Sequence, residues 1–531
     1  MKTIIARVFS VFTGIASASA AATFAIAAQE PTPPPAQEVA SDKGFGMGPP
    51  ATPEVVAAAD AAVKKKLPPG PFQPTWDSVK ASYRDPAWFQ DAKFGLFMHW
   101  GPYAVPAYHN EWYEKHMYAA YVQWHAEHWG PHDTFGYKDF LPLFKNEKFN
   151  ADEWAALFKK SGARYVMPTA QHHDNFALWD SEVTPINAKK IGAKRDLIGE
   201  LAVAVRKQGL KFGVSNHGIE NFTFINPKPA LKADLQSKKA DLFDPQWAEF
   251  YHVADRSPEA CTRFLTDWVD RNLELIDKYQ IDMLWFDNGV NHRVYDPLKL
   301  RIAAYYYNRA REWGKEVAIS TKQKAYAPSN DDTQQIGSII DFEKVGSRSP
   351  AGLRPPPWQV DDPIGSTWGY TNDMKVFGAG ALISKLIDTV SKGGNYLLNL
   401  SPKADGTIPE EQQKTLIEIG GWLSANGEAI YGTRSWVKFG EGEKGKQNYR
   451  FTVKGDTLYA IALGWPAGEE AVIASLGSGA ELKGKIEKVQ LIGSAASLAF
   501  VQDGVCLRIK LPSKPPGNYA YVFKVTGLKL Q

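Results

Sequence analysis

The stretch that decides the fold is Ile281-Asp282-Met283-Leu284-Trp285-Phe286-Asp287-Asn288-Gly289. Its apolar run is too short for an ordinary helix and is stopped by an Asn-Gly turn signal, so it predicts a buried strand. A helix-like segment from about Ala260 to Tyr279 precedes it. A strand that follows a helix indicates a βα arrangement, with Asp287 at the carboxyl end of the strand. In a parallel barrel, that end holds the chemistry.

The same alternation of buried strands and amphipathic helices extends from residue 75 to residue 432. Seven strands are predicted, at Phe94–His99, Ala163–Thr169, Lys211–Ser215, Ile281–Asp287, Val317–Thr321, Ser338–Glu343 and Asn395–Leu400. Helices are predicted at Ala151–Ser161, Arg195–Lys207, Ala260–Tyr279, Leu298–Trp313, Val376–Lys392 and Glu410–Asn426. Ser366–Tyr370 is a weak candidate for an eighth strand. We therefore predict an α/β fold with a (β/α)8-like catalytic barrel of the TIM type, irregular at one strand.

The pattern changes on both sides of this region. Residues 433–531 contain short alternating segments separated by Gly, Asp and Pro, which predict a C-terminal antiparallel β-sandwich. Its expected role is to pack against the barrel, with glycan binding as a second interpretation. Residues 29–74 are rich in Pro and Ala, and we expect a disordered linker outside the fold.

The first 28 residues are typical of a secretory signal peptide. Lys2 and Arg7 precede an apolar, small-residue stretch from Val8 to Ala28. A membrane anchor is the alternative, but the Ala, Ser and Thr content makes this stretch weakly hydrophobic as a span. No other segment of the sequence is suited to cross a bilayer. We expect an exported bacterial protein, periplasmic or secreted.

Composition argues against several classes of protein. The formal net charge is +3 over 531 residues and no basic block stands out, so a nucleic-acid partner is not expected. Cys261 and Cys506 form neither a disulfide framework nor a metal-ligand spacing. We expect both to be buried structural residues, and a disulfide between them is left open. Aromatic residues make up 12% of the chain, including 17 Trp, which suits stacking on sugar faces.

Polar side chains gather where the predicted strands end. They are His99, His172, His173, Asp174, Asn216, His217, Glu220, Asp287, Lys322, Asp341 and Glu343. Because strand ends converge on one mouth of a barrel, we expect these residues to share a pocket. A metal site is one interpretation, but adjacent histidines point to opposite sides of an extended backbone, and no His-x-His spacing occurs. Glycoside hydrolysis is the other, because it needs two carboxylates and neutral groups that hold sugar hydroxyls.

These residues lie within motifs that resemble the α-L-fucosidases of glycoside hydrolase family 29. The motifs are Phe94-Gly95-Leu96-Phe97-Met98-His99-Trp100-Gly101-Pro102-Tyr103, Glu111-Trp112-Tyr113, His172-His173-Asp174-Asn175-Phe176-Ala177-Leu178-Trp179, Lys194-Arg195-Asp196-Leu197, the strand ending in Asp287, and Ser391-Lys392-Gly393-Gly394-Asn395-Tyr396-Leu397-Leu398-Asn399-Leu400. The resemblance implies a retaining, exo-acting enzyme that releases terminal α-L-fucose from glycans. It implies no cofactor and no metal.

The resemblance also implies roles for individual residues. Asp287 matches the nucleophile, and Glu343 is the best match to the acid/base. The residues that match sugar-hydroxyl contacts are His99, Glu111, Trp112, His172 and His173. Aromatic positions around the sugar are matched by Phe97, Trp285 and Trp368. Asp174 and Glu220 are left open as supporting residues.

Two positions depart from the family pattern. The family often has a tyrosine after the third strand, where this chain has Asn216 and His217, and either could replace that contact. A frequent arginine after the fifth strand is replaced by Lys322, which supplies charge but not the bidentate fork of a guanidinium. Linkage preference and the exact sugar are therefore left open, and the sequence does not give the oligomeric state. The alternatives are a metal-dependent hydrolase that uses the histidines with Asp287, and a catalytically silent fucose-binding protein.

Overall fold

Eight parallel strands close into a barrel. The computed structural model describes residues 44–46, 51–322, 325–329, 335–442, 447–479, 482, 484–495 and 497–530. The barrel strands are β1 (Phe94–Met98), β2 (Tyr165–Gln171), β3 (Lys211–Asn216), β4 (Met283–Phe286), β5 (Ala318–Lys322), β6 (Ile339–Glu343), β7 (Trp358–Pro363) and β8 (Asn395–Leu400). Each strand pairs with its neighbour in sequence, and β8 closes on β1. The predicted (β/α)8-like barrel is confirmed.

Helices precede and surround the barrel. The longer ones are α1 (Pro53–Ala62), α2 (Ala151–Lys160), α3 (Leu197–Lys207), α4 (Pro258–Tyr279), α5 (Asp296–Glu312), α6 (Ala379–Ser391) and α7 (Glu410–Asn426). Shorter helices lie at Trp76–Ser82, Ala87–Ala92, Tyr113–His116, Val122–His128, Asn221–Phe224, Pro229–Ser237 and Ala248–Tyr251. Their buried apolar faces cover the outer surface of the sheet, as a doubly covered parallel sheet requires.

The entry to strand β4 shows how local sequence positions the site. The Ser257 hydroxyl accepts a hydrogen bond from the backbone N–H of Ala260 and caps the start of α4. The helix ends where Gln280 adopts a left-handed conformation with φ of 44°, which turns the chain into β4. Asp287 directly follows the four residues of β4. It therefore lies at the carboxyl end of the strand, at the end of the barrel opposite to the one where α4 ends.

The barrel interior is a packed core below its open end. The side chains that fill it include Phe97, Tyr165, Met167, Met283, Trp285, Ala318, Ile339 and Leu397. Gly95 makes room for one of them, because a Cβ atom at this position would lie 2.3 Å from Cζ of Tyr165. Because side chains fill the interior, we expect a ligand to bind at the carboxyl ends of the strands.

The predicted position of the missing strand is wrong. Ser366–Tyr370 lies in the loop after β7, and the true seventh strand is Trp358–Pro363. This strand contains Asp361 and Asp362, and two adjacent acidic residues are typical of a loop and not of a buried strand. Both carboxylates are buried because they pair with Lys322 and Lys385, at 2.7 Å and 2.8 Å. The hydrophobic pattern of the sequence does not predict this strand, because two of its buried residues are charged and paired.

The expected linker is also wrong for its described part. Residues 53–62 form helix α1, whose side chains Val56 and Ala59 are buried. Thr266 of α4 donates a hydrogen bond to the carbonyl of Ala59 over 3.3 Å, so α1 packs against α4. Ala-rich sequence is compatible with both a linker and a helix, and tertiary packing decides here. Residues 29–43 and 47–50 lie outside the described residues, as does the expected signal peptide at 1–28.

The C-terminal region forms two antiparallel sheets, as predicted. The strands are β9 (Arg434–Gly442), β10 (Asn448–Lys454), β11 (Thr457–Ala462), β12 (Glu470–Ile473), β13 (Gly484–Leu491), β14 (Phe500–Gln502), β15 (Leu507–Lys510) and β16 (Tyr521–Leu528). One sheet has the order β13-β16-β11-β10-β9 and the other the order β12-β15-β14. Trp422 of α7 donates its indole N–H to the carbonyl of Ala520 over 2.9 Å. The sandwich therefore packs on the barrel helices.

Two further expectations concern cysteines and membrane spans. Both cysteines are free thiols, so no disulfide joins them. Cys506 is buried as expected, whereas Cys261 is only partly buried. Among the described residues, none of the helices combines the length and apolar character that a bilayer crossing demands.

Candidate active site

The predicted histidines meet at the mouth of the barrel. His99 follows β1, His172 and His173 follow β2, and His217 follows β3. The ring centre of His172 lies 5.4 Å from that of His99, 4.4 Å from that of His173 and 4.7 Å from that of His217. The chain turns directly after β2, so both adjacent histidines face the same pocket. The structure thus brings together residues that are more than a hundred positions apart.

Asp287 lies against this cluster. Its Oδ2 atom is 3.1 Å from Nδ1 of His217 and 3.8 Å from Nε2 of His173. Burial alone would raise the pKa of this carboxyl group. The hydrogen bond with His217 and the nearby charge of Lys322 outweigh burial and lower the pKa below its ordinary value. Asp287 is therefore ionised at neutral pH.

Three imidazoles of the cluster, those of His99, His172 and His173, are neutral. Burial, reinforced by the neighbouring imidazole of His217, lowers the pKa of both His99 and His173 to about 3. Burial and its three histidine neighbours lower the pKa of His172 well below its ordinary value. Neutral imidazoles can both donate and accept hydrogen bonds. This set of residues therefore suits recognition of sugar hydroxyl groups.

Two groups of these residues have the spacing of a metal site. They are His99, His172 and His217, and His173, His217 and Asp287, with ligand atoms all within 4.8 Å of one another. Both ring nitrogens of His217 already have partners, because they lie 3.1 Å from the Ser215 hydroxyl and 3.1 Å from Asp287. A metal ion would have to displace these hydrogen bonds.

Two aromatic side chains form the floor of the pocket. Phe97 of β1 and Trp285 of β4 point into the barrel, with ring centres 5.1 Å apart. The indole N–H of Trp285 donates to Oδ2 of Asp341 over 2.7 Å. His99 and His217 lie above them, 4.9 Å from Phe97 and 5.0 Å from Trp285. Trp285 is therefore a buried floor and not an open stacking wall.

Glu111, Trp112 and Trp368 line the side of the pocket. The Glu111 carboxylate accepts a hydrogen bond from the backbone N–H of Gly369 over 3.1 Å, which ties the two loops together. The ring of Trp368 lies 5.2 Å from that of His99, and the ring of Trp112 lies 6.0 Å from that of His173. Both indoles are only partly buried. Their exposed faces suit stacking on a sugar.

Asn216 does not face the pocket in the way His217 does. Its side-chain oxygen accepts a hydrogen bond from the backbone N–H of Gly218 over 2.8 Å, and the residue is fully buried. It holds the turn after β3. Of the two residues that stand where the family often has a tyrosine, His217 is therefore the one that contacts Asp287.

Glu343 and Lys322 occupy the far side of the mouth. Glu343 ends β6 and pairs with Arg348 over 2.9 Å. The Lys322 ammonium donates to both oxygens of Asp361 over 2.7 Å and 2.8 Å. Burial would lower the pKa of Lys322, but the charges of Asp361, Asp341, Glu343 and Asp287 raise it above its ordinary value. Lys322 is thus a fixed cation within electrostatic range of both proposed catalytic carboxylates.

Some residues of the site have no role assigned from sequence. Glu220 lies with Oε2 3.4 Å from Nδ1 of His173, and burial together with the Asp287 charge raises its pKa to about 8. Asp341 and Asp361 neutralise Lys322 from inside the barrel. For Asp341, the signal was its place two residues before Glu343 on one strand, which puts both side chains on the same face. Asp361 gave no signal, because its strand was not recognised.

A parallel barrel whose mouth joins an ionised carboxylate, a second carboxylate and neutral histidines above an aromatic floor defines a barrel hydrolase suited to sugars. Sequence profiles name the family more closely: the α-L-fucosidase profile matches residues 59–428, and the profile of the α-L-fucosidase C-terminal domain matches residues 443–526. The chain belongs to the α-L-fucosidase family and is a glycoside hydrolase, which confirms the resemblance.

Individual relatives agree with the profiles. Human tissue α-L-fucosidase is 32% identical over 501 residues, which cover 89% of this chain and 95% of the relative. The rat tissue enzyme is 30% identical over 508 residues, with 91% and 97% covered. The crystal structure of Thermotoga maritima α-fucosidase in complex with fucose is 32% identical, with a TM-score of 0.68, and the match covers 86% of this chain and all of that chain (100%).

Proposed function

We propose that this protein is an exo-acting α-L-fucosidase that hydrolyses terminal α-L-fucosyl linkages of glycans with retention of configuration. Family membership and the names of its relatives support the activity. The observation that bears most on the mechanism is Asp287, which hydrogen bonds with His217 beside the neutral imidazoles of His99, His172 and His173. A carboxylate kept ionised at the site where the sugar binds is the requirement for a nucleophile.

In the first step, Asp287 attacks the anomeric carbon and a covalent fucosyl-enzyme forms as the bond to the leaving group breaks. Glu343 gives its proton to the departing oxygen. In the second step, Glu343 takes a proton from water, the water attacks the same carbon, and the bond to Asp287 breaks. Two inversions leave the configuration unchanged, and such enzymes place their two carboxyl groups about 5–5.5 Å apart.

The position of Glu343 supports its proposed role. It ends a barrel strand at the mouth and lies within electrostatic range of Lys322, which is also within range of Asp287. Its side chain is 19% exposed, so a leaving group that extends from the pocket can approach it. Glu220 is the competing carboxylate, because its raised pKa of about 8 keeps it protonated at neutral pH. The two candidates for the acid/base lie at different positions in the mouth of the barrel. Glu220 contacts His173, and Glu343 borders the loop after β6.

The pocket offers both kinds of contact that fucose needs. His99, His172, His173 and Glu111 can hold hydroxyl groups, while Phe97 and Trp285 supply an apolar floor. We propose that the aromatic floor faces the C6 methyl group. A sugar with a 6-hydroxyl would then lose hydrogen bonds to water without replacing them, which disfavours it.

The proposal is tested by following an aryl α-L-fucoside by NMR. The first sugar product should be α-L-fucose, which mutarotates later, and the matching α-L-galactoside should be hydrolysed far more slowly. β-L-Fucose as the first product would exclude retention, and the absence of hydrolysis would exclude the activity. Binding of fucose without turnover would instead support the silent binding protein.

The metal-dependent alternative has a separate test. A chelator should abolish the activity of a metal hydrolase that uses the histidine cluster and should leave a fucosidase with two carboxylates unchanged. Activity that is lost on chelation and restored by a divalent cation would replace the present mechanism.

We also propose that the protein is exported, periplasmic or secreted, on the basis of the signal-like residues 1–28. Mass spectrometry of the protein recovered from its native host should find a mature N-terminus near residue 20 to 28 if the leader is cleaved. An intact Met1 in the cell interior would contradict export.

A further inference from the structure

The loop between β6 and β7 places positive charge beside the proposed acid/base. Between Glu343 and Asp361 the sequence contains Lys344, Arg348 and Arg354 but no Asp or Glu. The loop starts at the carboxyl end of β6 and therefore belongs to the mouth of the barrel. Under the proposed function, this is the side on which the leaving group departs, because Glu343 must reach the departing oxygen.

Lys344 lies close to the sugar pocket. Its Nζ atom is 5.8 Å from the ring centre of Trp368. The same indole ring lies 5.2 Å from that of His99. Trp368 therefore lies beside both the ammonium of Lys344 and the ring of His99 in the pocket. A sugar residue attached to a bound fucose would pass beside this indole and come within reach of the lysine.

The two cations near Glu343 are not fully compensated by it. Nζ of Lys344 lies 3.7 Å from one carboxylate oxygen, and Nη1 of Arg348 lies 2.9 Å from the other. One carboxylate thus faces two cations. The cations remain accessible, with 45% and 61% of their side chains exposed.

The third cation of the loop has a different role. The guanidinium of Arg354 lies 5.1 Å over the ring of Phe342, whose side chain packs against Trp358. Phe342 neighbours Glu343 along the strand and therefore points to the opposite face. Arg354 stabilises the outer side of β6, so only Lys344 and Arg348 face the mouth.

We infer that the leaving-group side of the pocket recognises an anionic sugar, namely a residue that bears a carboxylate or a sulfate ester next to the fucosyl linkage. Such an anion pairs with the exposed ammonium of Lys344 and guanidinium of Arg348. A guanidinium binds carboxylate and sulfate oxygens through two parallel N–H donors, and an ammonium adds a third. The inference rests on the proposed function and narrows it to fucosylated acidic glycans.

The test compares matched disaccharides. Fucose is linked to galacturonate or to its methyl ester, and to galactose with or without a sulfate ester, each as 1→2, 1→3 and 1→4 isomers. The measured quantity is the ratio of kcat/KM between the anionic and the neutral member of each pair. We expect a ratio of about 10 at low ionic strength, which corresponds to the gain from hydrogen bonds to charged groups. The ratio should fall as salt screens the cations.

Variants assign the preference to the loop. Arg348→Gln and Lys344→Gln should each lower the ratio, and the double variant should bring it to about 1, because no cation remains to pair with the anion. Arg434→Gln is the matched control, since Nη1 of Arg434 lies 2.8 Å from Asp91 and its side chain is 46% exposed. That variant should keep the wild-type ratio.

The outcomes separate the inference from the function on which it rests. Equal rates for acid and ester in the wild-type protein, with hydrolysis of both, would overturn the inference and leave the fucosidase intact. A preference that persists in the double variant would also overturn it. Hydrolysis of none of these substrates, and none of an aryl α-L-fucoside, would overturn the proposed function itself. A preference for only the uronate or only the sulfate would identify which anion the loop recognises.

Discussion

His217 connects the core of the barrel to the ionised carboxylate of Asp287. Its Nδ1 atom lies 3.1 Å from Oδ2 of Asp287, and its Nε2 atom lies 3.1 Å from the hydroxyl of Ser215 on β3. Each ring nitrogen of an imidazole can take part in a hydrogen bond, and these two contacts use both nitrogens of His217. This arrangement fixes one oxygen of the Asp287 carboxylate in place.

Replacement of the proposed nucleophile should nearly abolish turnover. Asp287→Ala is expected to lower kcat on an aryl α-L-fucoside by at least about 10³-fold, because no covalent intermediate can form. Azide should react in place of the missing carboxylate and give β-L-fucosyl azide, which NMR distinguishes from the α-anomer. Turnover at the wild-type rate would remove Asp287 from the mechanism.

Substrates with different leaving groups distinguish whether Glu343 or Glu220 is the acid/base. On a fucosylated disaccharide, Glu343→Ala should lower kcat/KM by about 10²–10⁴-fold, the usual contribution of general acid catalysis. On an aryl fucoside with a good leaving group the loss should be smaller, and azide should restore the second step. Glu220→Gln should show neither the leaving-group dependence nor the azide effect. The reverse result would transfer the acid/base role to Glu220.

The pH dependence of stability should report on Glu220. Burial and the Asp287 charge raise its pKa from 4.5 to about 8, so in this interval the folded protein binds a proton that the unfolded chain has released. The contribution of Glu220 to the free energy of unfolding therefore falls as pH rises through this interval. Buried His99 and His173 have the opposite sign, but only below their unfolded value of 6.5.

The informative window is consequently pH 6.5 to 8. Urea unfolding across this window should give a less negative slope for Glu220→Gln than for the wild type, because the variant cannot release that proton. Glu182→Gln is the control, since the Glu182 side chain is 85% exposed. Identical slopes for wild type and Glu220→Gln would show that Glu220 does not hold a proton there.

The buried pair of Lys322 and Asp361 should behave as one unit. Their side chains are 10% and 3% exposed. Lys322→Met leaves the buried carboxylate of Asp361 without its cation and should cost about 3–5 kcal/mol in the free energy of unfolding. Asp361→Leu should cost less, because Lys322 keeps Asp341 at 3.9 Å. The double variant should cost clearly less than the sum, as measured by urea unfolding in a double-mutant cycle.

An exposed pair provides the comparison. Lys207 and Asp152 lie 3.1 Å apart with 67% and 64% of their side chains exposed. Lys207→Gln should cost less than about 1 kcal/mol. Additive effects of Lys322→Met and Asp361→Leu would contradict the coupling of the buried pair.

Helix α1 should contribute to the stability of the barrel. Val56→Ala is expected to cost about 2 kcal/mol, because the buried side chain loses two carbon atoms and leaves a cavity. Val55→Ala, at a neighbouring position that is only partly buried, should cost less than half of that in the same urea titration. Equal and negligible effects would mean that α1 does not belong to the cooperative fold.

Much of the fold follows from local pattern. Strands such as Asn395–Leu400 and helices such as Glu410–Asn426 have the predicted bounds, because hydrophobic periodicity and turn residues are local properties of the chain. The strand Trp358–Pro363 and helix Pro53–Ala62 were not predicted. A buried carboxylate such as Asp361 is compatible with a strand only when a lysine from another strand neutralises it.

The candidate site was also predicted only in part. The sequence by itself determined that His99, His172, His173, His217 and Asp287 would share a pocket, because parallel strands of a closed barrel must end at one mouth. Only the tertiary structure decided what each residue faces there. In the structure, His217 forms a hydrogen bond with Asp287, and Asn216 accepts a hydrogen bond within the turn after β3. Burial of Glu220 beside the Asp287 carboxylate raises the pKa of Glu220. Burial, distance and charge pairing depend on residues far apart in sequence, and so they are set only when the barrel closes.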